Sequence, residues 1–317
     1  MNKKKYVNRN YLTTTRIIAL GFLITVIVGT ILLSLPIASA NGTWTDLLTA
    51  AFTSTTSVCV TGLVVVDTFS YWSLFGKGVI LILIQIGGLG IVSIITLFML
   101  LLRMKITLKS TMLLQDAFNL NSKQGLLKFT IKVIKGTFLI EGIGALIYSF
   151  YYCREYGFLK GIWFSVFHAV SAFCNAGIDI MGADSLISYH SNLLMMLNTS
   201  FLIIMGGIGF IVWWDTVEAF RRIRTKRCSI RSAWNGVHLQ TKIAIFMTLL
   251  LLIGGTIVIY FLERSNPDTL GNLSEKDRIL NAFFQSVTFR TAGFAAVSQV
   301  ALRPVTAFFG VLLMMIG

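Results

Sequence analysis

Three short segments of this chain are variants of one pattern: Ser57-Val58-Cys59-Val60-Thr61-Gly62-Leu63, Ala172-Phe173-Cys174-Asn175-Ala176-Gly177-Ile178 and Thr288-Phe289-Arg290-Thr291-Ala292-Gly293-Phe294. Their glycines stand 115 and then 116 residues apart, and ten positions before each is a phenylalanine: Phe52, Phe167 and Phe283. Each glycine is followed by an apolar residue and then by another glycine within a later apolar run. So regular a spacing constrains the chain to one supersecondary unit used repeatedly around an axis.

Around these segments run long stretches free of charge. Residues 17–45, 78–102, 191–214 and 243–262 contain no Asp, Glu, Lys or Arg. Each reaches the roughly 20 residues with which a helix crosses about 30 Å of hydrocarbon. Residues 136–153 are interrupted only by Glu141, and 304–317 are uncharged. With 55% of 317 residues hydrophobic and 13% charged, a soluble domain could not hide its apolar surface. The composition predicts a multi-spanning membrane protein. Ala38-Ser39-Ala40, after a basic stretch and an apolar run, imitates a secretory cleavage site. Residues 17–35 are longer than the roughly 7–15 apolar residues of a signal core, so they are expected to be the first membrane helix.

A net charge of +14 would suit a nucleic-acid binder, but its distribution argues for orientation instead. Nineteen of the 27 basic residues lie before the first span, between the second and third, or between the fourth and fifth. Residues 103–135 and 221–242 carry fourteen of these against Asp116 alone. The opposite side holds Asp46, Asp67, Glu155, Asp179, Asp184, Glu263, Asp268, Glu275 and Asp277. Positive loops remain cytoplasmic, which puts the N-terminus inside and the glycine segments outside. The partners expected of the basic loops are the anionic lipids of the bilayer, and no nucleic acid. Cys59 and Cys174 stand three residues before a glycine where the third copy has Arg290, so the pattern does not require a thiol. No disulfide or metal spacing is present.

Each unit reads as helix, short helix, loop, helix. In the first the parts are residues 12–35, 46–56, 57–65 and 71–102. In the second they are 126–152, 161–172, 173–178 and 191–220, and in the third 239–262, 278–288, 289–295 and 304 onward. The short helices cannot cross a bilayer and are expected to enter and turn back. Irregular backbone at membrane depth is tolerated only where it is buried in protein or lines a water-filled cavity. Glycine permits the backbone angles that aim consecutive carbonyls one way, and carbonyls can replace the water shell of a cation. The negative end of each short helix points at the same place. The expected filter is therefore the backbone of Val60-Thr61-Gly62, Asn175-Ala176-Gly177 and Thr291-Ala292-Gly293, with no side-chain metal site. The glycines of Gly87-Gly88-Leu89-Gly90 and Gly206-Gly207-Ile208-Gly209 read as packing notches within long helices.

These three loops resemble the filter loops of the Trk/Ktr/HKT superfamily of potassium transporters, most closely those of its bacterial Ktr membrane subunits, and the likeness runs along essentially the whole chain. It implies an all-α polytopic protein whose helix–pore helix–filter loop–helix units surround a pseudo-fourfold pore axis. By that pattern residues 1–102, 103–220 and 221–317 are the first three units, the third truncated in its last helix, and a fourth is missing. The resemblance implies potassium as the transported ion. In this superfamily a serine in place of the first filter glycine accompanies sodium preference, so Gly62 implies potassium and leaves a sodium pathway as the alternative. It further implies a homodimer in the bacterial plasma membrane, resting on cytoplasmic nucleotide-binding regulatory subunits of the KtrA/TrkA type. The chain carries no nucleotide motif of its own and no cofactor is expected. A membrane-embedded enzyme would need a catalytic constellation, and none is visible among its three histidines and four cysteines.

Four further sets of residues are open to two readings each. Arg290 either braces the third loop or pairs with an outer acid such as Asp67 or Asp179. Glu141 faces the pore or, the favoured reading, pairs with a polar neighbour between helices. His168 follows Phe167 and is read as packed or hydrogen-bonded rather than as a proton relay. Asp67, Asp179 and Asp184 either concentrate cations at the outer mouth or are simply solvated.

Overall fold

The computed structural model describes residues 14–90, 93, 126–182, 185–226 and 229–316. Described residues are overwhelmingly helical, with one isolated bridge between Ser39 and Trp72. In chain order the main helices are α1 (Thr14–Ser34), α2 (Leu47–Cys59), α3 (Leu74–Leu89), α4 (Leu126–Tyr156), α5 (Phe158–Phe173), α6 (Leu193–Gly207), α7 (Phe210–Lys226), α8 (Leu239–Glu263), α9 (Glu275–Thr288) and α10 (Pro304–Ile316). Among them α4 from Lys128 onward and α8 are long and apolar enough to span a membrane, and α6 with α7 would make a third if read as one bent span.

Local chemistry sets the helix ends. Pro36 opens a 3-10 turn after α1. Asp46 caps α2 by accepting from the amides of Leu48 (3.1 Å) and Thr49 (3.3 Å), and Ser274 caps α9 by accepting from the Asp277 amide (3.2 Å). Such caps satisfy donors that a helix start otherwise leaves unpaired. Gly157 alone separates α4 from α5. A Cβ on Gly161 would lie 2.5 Å from the Cys153 backbone, so this hairpin closes only over glycine. At 13 residues α2 is about 20 Å long, below the thickness of the hydrocarbon.

The two glycine-rich runs, 87–90 and 206–209, depart from the continuous spans expected at 71–102 and 191–220. Helix α3 stops at Leu89, where Gly90 takes φ +79°; beyond it only Ser93 is described before residue 126. Helix α6 stops at Gly207, Gly209 takes φ +93°, and α7 leaves at 100° to α6. The physical reason is backbone freedom: a left-handed residue ends an α-helix, and glycine adopts that conformation without penalty.

The core gathers around α4, α5 and the residues that pack on them. Phe167, Phe284, Tyr148 and Tyr152 are fully buried, Phe294 nearly so. His168 belongs to this aromatic cluster. Its ring lies edge-on to Tyr148 at 4.8 Å and 4.9 Å from Phe294. Neither ring nitrogen has a hydrogen-bond partner among the described residues, so of the two favoured readings the structure shows packing.

Candidate functional site

The three loops share a backbone conformation. Two residues before each glycine, Val60 (φ 55°), Asn175 (φ 58°) and Thr291 (φ 66°) are left-handed, and so are Gly62 (φ 76°), Gly177 (φ 63°) and Gly293 (φ 82°). Among the described residues only one other non-glycine, Ser185, has positive φ. For β-branched Val60 and Thr291 that conformation is costly. Repetition at one register marks strain held by the surrounding structure.

What holds it is a set of hydrogen bonds back to the last turn of each short helix. The Thr61 amide donates to the Thr56 carbonyl (3.0 Å), that of Ala176 to Ser171 (2.8 Å), and that of Ala292 to Thr288 (3.0 Å). The residue after each glycine is tied to a hydroxyl of the same turn. The Leu63 amide donates to Thr56 Oγ1 (3.0 Å), while Ser171 and Thr288 donate to the carbonyls of Ile178 (2.5 Å) and Phe294 (2.7 Å). Thr56 and Thr61 also share a 2.6 Å hydroxyl bond. The sequence reading missed these hydroxyls; the signal for them is a Thr or Ser five or six positions before each glycine.

The third copy is one residue tighter, with its anchoring carbonyl four rather than five residues before the donor. The partner of fully buried Phe167 is accordingly Phe284, not Phe283, and Phe52 is 39% exposed. The phenylalanine register therefore does not mark one shared core position.

From behind, each short helix is met by a glycine. A Cβ on Gly87 of α3 would lie 2.2 Å from the Val58 carbonyl oxygen, one on Gly206 of α6 1.7 Å from that of Phe173, and one on Gly310 of α10 2.8 Å from the Phe289 ring. Gly87, Gly88 and Gly206 are packing notches, as expected, and at Gly87 and Gly206 what they admit is backbone; Gly90 and Gly209 are not, since nothing lies within 4 Å of an added Cβ and their left-handed φ ends or breaks the helix instead.

The loops come together. A Cβ on Gly62 would lie 2.6 Å from the Ala176 oxygen, and one on Gly177 2.6 Å from both the Ala292 oxygen and the Gly293 Cα. Gly177 thus sits between the other two in an arc of touching backbones. All three glycines line one cavity of about 360 Å³, with Asp67 and Asp179. Burial would raise Asp67, but the Ser70 hydroxyl, the amides of Phe69 and Ser70, and the charge of Lys77 hold it below the usual carboxylate range. Burial raises Asp179, opposed by hydrogen bonds from Ser185 and the Met181 amide. Asp67 thus keeps its negative charge at neutral pH beside the glycines. Asp184 lies outside the described residues. Arg290 is half-buried at the end of α9, its amide donating to the Val287 carbonyl (3.1 Å).

Glu141 is buried and does pair between helices: Gln85 Nε2 on α3 donates to both its carboxylate oxygens, at 3.0 and 3.2 Å. Among the described residues no group of His, Cys, Asp and Glu could hold a metal ion. What the three loops offer instead is backbone oxygen, close-set and beside a carboxylate.

The family described as TrkH, cation transport protein, matches residues 3–317. The chain is 40% identical over 309 residues to the potassium/sodium uptake protein NtpJ of Enterococcus hirae, covering 98% of this chain and 65% of that one. It is 38% identical to the Ktr system potassium uptake protein B of Bacillus subtilis, covering 100% and 68%, and 33% identical to the protein of the same name from Vibrio alginolyticus, covering 95% and 64%. It therefore spans about two-thirds of the length of these relatives. The crystal structure of the potassium transporter TrkH from Vibrio parahaemolyticus superposes with a TM-score of 0.61 at 14% identity, covering 98% of this chain and 58% of that one, and so shares its fold. The chain belongs to the TrkH family of cation transport proteins.

Proposed function

We propose that this chain contributes to a potassium uptake pathway, with the backbone of Val60-Thr61-Gly62, Asn175-Ala176-Gly177 and Thr291-Ala292-Gly293 as its filter. The observation that carries this reading is the convergence of three strained glycine loops on one cavity. Carbonyl oxygens there would replace the hydration shell of the ion, and the ends of α2, α5 and α9 would add the negative poles of their dipoles. Residues 1–102, 103–220 and 221–317 act as successive units around the pore axis. Potassium enters down the membrane potential, which supplies about 2.3 kcal/mol per charge for each 100 mV. Arg290 braces the third loop, and Asp67 with Asp179 attracts cations to the mouth. The setting is the plasma membrane with the N-terminus in the cytoplasm.

Replacing Gly62 with serine tests the filter. A Cβ there meets the Ala176 oxygen at 2.6 Å, so the side chain must displace the second loop. In cells lacking other potassium systems, the full-length G62S protein is expected to lose potassium uptake relative to sodium uptake by an order of magnitude or so, as one misplaced ligand carbonyl costs about 1.4 kcal/mol or more. Unchanged selectivity would remove Gly62 from the filter. The same assay addresses a second reading, sodium conduction, which the name of the Enterococcus hirae relative favours: wild-type uptake of sodium in preference to potassium would establish it.

The protein works as a homodimer resting on cytoplasmic nucleotide-binding regulatory subunits; that relatives are named as parts of a Ktr system supports the existence of a partner. Arg221 and Arg224 are exposed on α7, and Arg222 reaches Glu218 at 3.6 Å. Reversing these three charges is expected to weaken co-purification of the regulatory subunit several-fold with membrane insertion intact. Lipid attraction depends on charge count, docking on position. Normal co-purification with disturbed topology would make these arginines orientation signals.

A further inference from the structure

The elbow between α6 and α7 encloses a cleft that the transport reading does not use. It has a volume of about 380 Å³, and its walls are Leu139 and Ile140 of α4, Val212, Trp213 and Trp214 of α7, and Ile245 of α8. That wall is apolar, and it ends in charge. Lys128, Lys132 and Lys135 are exposed at the start of α4. Their spacing of four and three residues sets them along one face of the helix. The same face continues one turn on into Gly136, Leu139 and Ile140, which border the cleft.

Lys132 marks the junction. Its ammonium stands 5.5 Å from the centroid of the Trp214 ring, and Trp214 itself lines the cleft. The two indoles differ in one respect. Trp213 Nε1 donates to the Met205 carbonyl at 2.9 Å, whereas the buried Trp214 Nε1 has no acceptor among the described residues. An ammonium held over an indole ring at the border of an apolar cleft asks for an anionic oxygen with a hydrocarbon tail. Tryptophan at the level of the headgroups is the usual border of a membrane protein, and basic pockets between membrane helices bind acidic headgroups.

We propose that this cleft is a binding site for an anionic phospholipid of the leaflet on the side of the basic loops. An acyl chain fills the elbow against Val212, Trp213 and Ile245. The phosphate sits on Lys132 beside the Trp214 ring, with Lys128 and Lys135 in its surroundings. The site is independent of which cation is carried, and the anion is held on α4 rather than on the arginines of α7.

The chain has six tryptophans, so contact with lipid can be read directly by fluorescence quenching. The full-length protein is reconstituted in phosphatidylcholine containing a minor fraction of lipid brominated in its acyl chains, either phosphatidylglycerol or phosphatidylcholine. Brominated phosphatidylglycerol is expected to quench with roughly fivefold higher apparent affinity than its phosphatidylcholine counterpart, the preference one lysine at a membrane surface confers. Lys132→Ala should reduce that preference towards parity, and Trp214→Phe should remove the selectively quenched emission. Lys160→Ala, at the far end of the α4–α5 hairpin, should change neither. Lys132 is exposed, so its loss leaves the core packed even if the tryptophan variant folds poorly. Equal quenching by both lipids overturns the proposal. So does a phosphatidylglycerol preference that survives Lys132→Ala, and so does an absence of quenching by either, since the cleft is then covered by protein.

Discussion

Full-length protein carrying Gly177→Ala is expected to reach the membrane in normal amounts and to have lost potassium uptake. Gly177 lies between Gly62 and Gly293, with φ +63°. An added Cβ would stand 2.6 Å from the Ala292 oxygen and from the Gly293 Cα. Both are backbone atoms of a loop that is itself anchored, so neither can swing aside as a flexible side chain would. The left-handed conformation adds about 1–2 kcal/mol for any residue with a Cβ. The second and third loops must then separate, and carbonyl positions set to a few tenths of an ångström are lost. Gly142→Ala, on α4 with nothing within 4 Å of its added Cβ, is the control and should leave uptake unchanged. Potassium-dependent growth of a strain lacking other uptake systems is the readout. Growth of the Gly177→Ala strain at the wild-type rate, at low external potassium, would refute the filter assignment.

The second large effect concerns stability. Glu263 ends α8 fully buried, and four donors converge on its carboxylate. Asn266 Nδ2 (2.7 Å) and Thr269 Oγ1 (2.6 Å) bind one oxygen; the Arg303 amide (3.0 Å) and Thr306 Oγ1 (2.5 Å) bind the other. The carboxylate thereby joins the end of α8, the turn after it and the start of α10. With Glu263→Ala the amide of Arg303 and two hydroxyls lose their acceptor at once, and each buried unpaired group costs about 1–3 kcal/mol. At the low end of that range for all three, the purified variant should melt roughly 6–12 °C below wild type, at about 2–4 °C per kcal/mol. Thr306→Val removes a single partner and should cost less. A Glu263→Ala protein with an unshifted melting curve would show that the carboxylate is solvated in the membrane-embedded state and joins nothing.

Some of this architecture was open to reading from the chain alone. Charge-free runs and basic loops reflect the solvent, which acts on composition, and the meeting of Gly62, Gly177 and Gly293 follows from backbone demands that only glycine meets. Glu141 was readable as a paired group because a lone carboxylate in an apolar helix needs a donor, though nothing local named Gln85. The break at Gly207–Gly209 was not readable, since glycine in an apolar run serves equally as a notch in a continuous helix. Only φ +93° at Gly209 separates the two cases. The one-residue tightening of the third loop was hidden by spacings of 115 and 116 residues, which measure glycine to glycine and are blind to where each short helix lets go. The hydroxyl ties were hidden for a similar reason. Ser and Thr in helices commonly bond to their own preceding turn, as Thr53 and Ser57 do in α2. Whether a hydroxyl turns forward to a loop instead is decided by what the loop presents.

The arc of glycines has a bearing on how these loops can diverge. The volume that a side chain would need at Gly62 belongs to the second loop, and the volume it would need at Gly177 belongs to the third. How closely the loops approach is therefore a joint property of neighbours, set by main-chain contact. Backbone shape and side-chain chemistry become two independent inheritances: Val-Thr, Asn-Ala and Thr-Ala stand before the glycine in successive copies, with the same left-handed backbone at the first of each pair and at the glycine, because what is shared between copies is the main chain and what is private to each is everything attached to it.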